Sequence, residues 1–301
     1  MQTSGTSARS LVLIAACVGG VAAAAPPPMA PDVATVLAHV GERVAEYYKR
    51  VQNIVCNEKS IVQPVSSSMG TLPGVFARVT ESELRIESAR DGEDGTPKEA
   101  TFVRTLIKVN GRAPREKDKT DAASCMDPNP LTPEPLAFLL PAKQGEYRFS
   151  FAGFGKGKES GSMMIDYLQP ATAKEGKLVE DPKGRDNCFS VEVPGAIKGR
   201  VWVDATTFDV LRVEEHLAGP GSVRVTDQQQ RKHMLPDFIT IDRYSRTIRL
   251  KQAAFKDPDE TMLLPESIEM LIVYRNALES TRREQRFTDY RRFLTGGRIV
   301  K

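Results

Sequence analysis

Gly199-Arg200-Val201-Trp202-Val203-Asp204-Ala205-Thr206-Thr207-Phe208-Asp209-Val210-Leu211-Arg212 sets the architecture of this chain. Residues 199–204 alternate Val with polar or aromatic side chains, the period-two pattern of a strand with two unlike faces. Ala205-Thr206-Thr207 supplies a turn, and Phe208 to His216 returns as a second strand. A connection this short joins antiparallel neighbours, because a parallel pair needs a crossover of a dozen residues or more.

The same reading extends outward in both directions. Toward the C-terminus, about Phe238 to Ala254, Leu264 to Tyr274 and Glu279 to Phe293 read as strands longer than the usual 5–6 residues, which implies a strongly bent sheet or barrel. Toward the N-terminus, Tyr147 to Phe151 and Met163 to Leu168 alternate cleanly, and Phe189 to Val193 follows a charged, turn-forming stretch at 170–187. Ser60 to Gln63, Phe76 to Ser88 and Thr101 to Asn110 are rich in Val, Ile, Thr and Phe, and breakers such as Pro64, Asp91-Gly92 and Asn110-Gly111 separate them. Arg112 to Pro135 is a long polar loop, after which Thr132 as cap and Pro133 in the first turn open a short apolar helix, Leu136 to Leu140.

One long helix precedes all of this. Val33, Val36, Leu37, Val40, Val44, Tyr47, Tyr48 and Val51 recur at three and four residues, and Asp32 is placed to cap them. The expected class is therefore α+β, a curved antiparallel sheet forming an incomplete barrel, covered by the N-terminal helix and the short inserted one. Helices between successive strands are missing, which excludes a doubly wound parallel sheet.

The first residues concern export. Arg9 precedes the apolar run Leu11 to Val18, and small residues to Ala25 lead into Pro26-Pro27-Pro28, the layout of a secretory signal peptide. Cleavage is expected after Ala24, leaving a Pro/Ala spacer at 25–31 and a single domain at 32–301. Ile14-Ala15-Ala16-Cys17 also fits a lipoprotein box that would acylate Cys17, but only six apolar residues precede that cysteine. Soluble export to the periplasm is the better-supported reading. Cys56, Cys125 and Cys188 remain after the leader. An exported chain sits where disulfides persist, and Cys125 with Cys188 is the expected pair.

A net charge of +3 argues against a nucleic-acid partner, which wants a strongly basic face. Only His39, His216 and His233 are present, with no G-x-S-x-G elbow and no close histidine pair, so neither a catalytic centre, a cofactor nor a metal site is expected. Glu214 and Glu215 are adjacent in a strand and point to opposite faces. Asp257-Pro258-Asp259-Glu260 lacks the pattern of a calcium loop. Gly153-Phe154-Gly155-Lys156-Gly157-Lys158 lacks the spacing of a phosphate loop and reads as a hairpin. The remaining basic concentration, Arg282, Arg283, Arg286, Arg291 and Arg292, offers contact with an anionic membrane surface, or solvated ion pairs across strands.

The hairpin at 199–212 resembles that of the LolA-like periplasmic lipoprotein carriers, and the order of leader, long helix, strands, inserted helix and further strands agrees with them. Leu264-Pro265-Glu266-Ser267-Ile268 is similar to a segment of the same outer-membrane lipoprotein-sorting superfamily. The cysteines and the charged insertions at 91–99 and 170–187 are not part of that pattern. The resemblance implies a non-enzymatic binding protein whose apolar cavity, between sheet and helices, receives lipid or lipoprotein acyl chains. Val36, Val40, Val44, Tyr47, Leu136, Leu139 and Leu140 would line it, with Trp202 or its strand neighbours opposite. The alternative is a cell-envelope interaction module in which sheet and helix pack with no cavity.

Overall fold

A computed structural model describes residues 31–51, 53–87, 101–119, 136–170, 176–181, 188–192, 195–256 and 259–292. The leader, Cys17, the spacer before Pro31, Cys125 and Thr132-Pro133 lie outside the described residues. Residues from Pro31 onward form a unit of their own.

Helix α1 spans Val33–Arg50, and Asp32 caps it by accepting the N–H groups of Ala34 and Thr35 at 3.4 and 3.1 Å. Among the described residues thirteen strands follow, joined in one sheet. β1 (Ile54–Val65), β2 (Arg78–Glu87) and β3 (Thr101–Val109) build one flank, and a short helix α2 (Glu116–Lys119) follows them. β4 (Arg148–Phe154), β5 (Ser162–Gln169), β8 (Ile197–Asp204) and β9 (Val210–Leu217) build the other. Three long strands, β11 (Phe238–Lys256), β12 (Asp259–Tyr274) and β13 (Ser280–Arg292), connect the two flanks. The order is β3-β2-β1-β13-β12-β11-β9-β8-β5-β4, antiparallel throughout and open at β3 and β4. This is the expected incomplete barrel. Closing it would have removed both edges.

Three details differ from the sequence reading. The inserted apolar helix is a 3-10 turn at Ala137–Leu139, followed by a short helix α3 at Pro141–Gln144. Pro141 forces Leu140 into extended geometry, φ −63 and ψ 142, and so ends the first turn. The stretch read as turns at 170–187 contains a strand, β6 (Lys177–Glu180), which pairs with β7 (Phe189–Glu192) and makes one parallel bridge, Lys177 to Arg224 in β10 (Gly221–Arg224). A helix that the sequence reading did not pick out, α4 (Asp227–His233), carries His233 and is capped at its N-terminus by a capping box between Thr226 and Gln229.

α1 lies across one face of the sheet. Val40 is fully buried and Val44 2% exposed, in one cluster with Ile165, Val201, Val213, Ile248 and Leu264. Two close approaches hold the cover down. A Cβ at Gly41 would stand 2.9 Å from Gln144 Nε2, the group that donates to Leu37 O and Leu139 O at 2.8 and 2.7 Å. The β8–β9 turn docks on the other side, where Phe208 stacks on His39 at 4.7 Å and Arg43 Nε donates to Asp209 at 3.2 Å.

Candidate functional site

The long central strands do not stay paired along their whole length. The β12–β13 ladder runs from Ser267↔Arg286 to Ile272↔Thr281 and goes no further toward the β11–β12 tip. Beyond it, β12 follows β11 out to the Lys256↔Asp259 pair, while β13 follows β1 out to Arg292↔Ile54. Two irregularities mark the parting. A register shift lies opposite Arg249/Leu250, where Glu266 is extra in β12, and another opposite Val55/Asn57, where β13 carries Asp289 at φ 55. Bulges of this kind bend a strand and end its pairing.

The result is a fissure through the sheet, with a cavity of about 740 Å³. That is the size range of small-molecule sites. Ala253, Ala254, Leu264, Pro265, Phe287 and Tyr290 make its apolar walls. Leu264 and Phe287 also belong to the core beneath α1, at 1 and 8% exposure, so the floor of the fissure is the core itself. The mouth is charged but balanced: Lys251 Nζ lies 3.6 Å from Glu266, and Arg286 lies 2.6 Å from Glu284.

Side chains span the gap where backbone pairing has stopped. Tyr290 Oη donates to Pro265 O at 2.6 Å. Burial holds the Tyr290 phenol well above its usual range, so it stays protonated and able to donate. At the tip, Glu260 accepts from Arg292 of β13 and, at 3.0 Å, from Arg50 at the end of α1. Arg292 also donates to Arg50 O at 3.1 Å. The hydrogen bond from Arg292, with a smaller share from Arg50, holds the Glu260 carboxyl below the usual carboxylate range. Helix, β12 tip and β13 are thus clasped through one carboxylate.

The residues expected to line a cavity are mostly brought together. Val36, Val40, Val44, Leu136 and Leu139 are buried in the core cluster, and Tyr47 and Leu140 pack on it partly buried. Trp202 points the other way. Its neighbours Val201 and Val203 face the helix, while the indole lies on the opposite face under Arg212, 4.5 Å from the ring centre, and beside Arg200. Gly199 in the same strand has no room for a side chain, since a Cβ would stand 2.0 Å from Glu214 O.

The terminal arginines do not form one patch. Arg282 and Arg286 are exposed, Arg291 pairs with Glu83 at 3.5 Å, and Arg292 turns inward to Glu260. Cys56 is buried and free, whereas Cys188 is disulfide-bonded. Among the described residues no group of three metal-ligating side chains occurs, and no helix is long and apolar enough to cross a membrane.

The sequence reading weighed Glu260 only as part of a calcium loop whose pattern is lacking, and it missed the fissure. The Leu264-Pro265-Glu266 segment was its one visible signal, since Pro inside a strand marks a bulge or an edge.

Fold and site together define an open antiparallel sheet, backed by a helix and split over an apolar interior. No protein-family model and no curated protein matches the chain. Among solved structures it is similar to a DUF1329 family protein from Desulfovibrio piger, at a TM-score of 0.40 and 9% identity over 86% of this chain and 92% of that one. It is also similar to a LolA superfamily protein from Nitrosomonas europaea, at a TM-score of 0.33 and 10% identity over 88% of this chain and 97% of that one.

Proposed function

We propose that this protein is an exported periplasmic carrier that holds the acyl chain of a lipid or lipoprotein, inserted through the β12–β13 fissure toward the core beneath α1. The supporting observation is the fissure itself, a cleft of about 740 Å³ with a charged rim, whose apolar residues Leu264 and Phe287 are shared with the core. Each methylene removed from water contributes about 0.8 kcal/mol, so such a cleft retains a chain without any reactive group. The balanced charges at the mouth favour a neutral or zwitterionic head over a strongly anionic one.

Tight packing under the helix, with Val40 and Val44 almost fully buried, favours the alternative of an interaction module with no ligand. The two readings part at the fissure. The cavity-lining role of Val36, Val40, Val44, Tyr47, Leu136, Leu139 and Leu140 then belongs to an opened form, in which a chain displaces the helix from the sheet. The leader at 1–24, with cleavage after Ala24, and a Cys125–Cys188 disulfide belong to the same reading, since both suit an exported domain at 32–301.

The test is uptake of a fluorescent long-chain fatty acid by the mature protein, with native mass spectrometry for co-purifying lipid. Ala254→Trp, at an exposed wall position, is expected to abolish uptake while leaving the circular dichroism spectrum unchanged. A bare mass and no uptake by the unaltered protein would overturn the carrier reading in favour of the interaction module.

A further inference from the structure

The loop between β1 and β2, Ser66-Ser67-Ser68-Met69-Gly70-Thr71-Leu72-Pro73-Gly74-Val75-Phe76-Ala77, contains no charged residue. It is nonetheless a built structure. Ser66 N–H donates to Gly70 O at 2.8 Å, Val65 bridges to Thr71, and Arg282 donates to Met69 O at 3.3 Å. This framework holds Val75 at 38% and Phe76 at 84% exposure. A Phe as exposed as this gains little for the fold, and apolar groups displayed in this way mark interaction sites.

The surroundings indicate the kind of partner. Arg243 reaches Met69 Sδ at 3.2 Å, so two exposed arginines from β11 and β13 flank the loop. Across the same end of the sheet, Ile241 pairs with Tyr274 and Arg275 N–H donates to Thr240 O, which brings the start of β11 beside the β12–β13 turn. A second pair of exposed apolar side chains stands there, Met234 at 93% and Phe238 at 52%. Uncharged apolar tips with arginines behind them complement a surface that is oily at its boundary and negative at its heads.

We propose that this end of the sheet docks on an anionic lipid bilayer, with Val75 and Phe76 entering the headgroup boundary and Arg243 and Arg282 meeting lipid phosphates. The inference stands apart from the fissure, which lies toward the opposite end of β12 and β13.

Co-sedimentation of the mature protein with phosphatidylcholine vesicles, with and without phosphatidylglycerol, tests it. Binding is expected only to the anionic vesicles and is weakened by added salt. Phe76→Ser is expected to reduce partitioning about tenfold. The Arg243→Gln, Arg282→Gln double variant is expected to flatten the salt dependence. Phe76 is 84% exposed, so Phe76→Ser is expected to keep its fold and its fatty-acid uptake. No binding to anionic vesicles, equal binding to both kinds, or binding indifferent to Phe76→Ser would each overturn the proposal, the first leaving a protein partner as the occupant and the last pointing to a different surface.

Discussion

Glu260→Gln removes the one carboxylate that clasps α1, the β12 tip and β13. The side chains involved are neither free nor sealed: Glu260 is 20% exposed, Arg292 18% and Arg50 35%. Exposed ion pairs contribute about 0.2–1 kcal/mol, and breaking a buried one costs about 3–5 kcal/mol. With a fifth of the surface wet, and with Arg292 keeping Arg50 O as an acceptor, the expected loss is about 2 kcal/mol. For a domain of this size that lowers the melting midpoint by roughly 4–8 °C. Urea unfolding measures the global part, and hydrogen exchange of residues 259–266 measures the local part. Those amides are expected to exchange faster, because β12 has lost its link across the fissure where ladder bonds are missing. The sign with pH follows from the depressed Glu260 carboxyl. Its contribution is complete above the ordinary carboxylate range near pH 4.3 and is lost as pH falls through the lower folded value. Wild type and variant should therefore converge in acid. An unchanged urea midpoint at neutral pH, with unchanged exchange at 259–266, would refute the clasp.

Glu58→Ala is expected to cost more, about 3–5 kcal/mol, because the Glu58 side chain is 1% exposed and accepts from Arg104 at 2.5 and 3.1 Å and from Gln285 at 2.5 Å. The Glu58→Leu, Arg104→Met pair should recover most of that loss in urea unfolding, since no buried charge is then left alone. Burial, with a smaller push from the Glu58 charge, raises the Cys56 thiol to about 12. Iodoacetamide at pH 8 should therefore label Cys56 only after denaturation, and peptide mass mapping of native protein would expose the error if it labels freely.

Much of the fold was legible because its signals are local. The three-and-four spacing from Val33 to Val51 gave α1 its apolar stripe, and Asp32 caps it as a short-range hydrogen bond must. The alternation at 199–204 and the turn at 205–207 yield β8 and β9, with Asp204 Oδ1 accepting the N–H groups of Thr206 and Thr207 at 2.8 Å. Other elements were hidden for physical reasons. β6 and β10 carry no alternating apolar residues to signal a period, unlike β7 of the same length, and Leu178, Val223 and Ile239 pack them into a small cluster of their own. α4 is polar all round, and only Thr226 and Gln229 at capping-box spacing announced it. The inserted helix was mistaken in kind because Pro141 acts on the residue before it.

By itself, the chain of amino acids determined an antiparallel sheet and a helix to cover one face. Alternation, caps and turns depend on neighbours within a few residues, so they can be read along the line. Where β12 leaves β13 is not written in either strand alone. It depends on each strand preferring its other neighbour once Glu266 and Asp289 have shifted register, and on Arg50, Glu260 and Arg292, drawn from three distant segments, meeting at one point. Only the assembled sheet decides which backbone groups find partners and which part to leave a cleft.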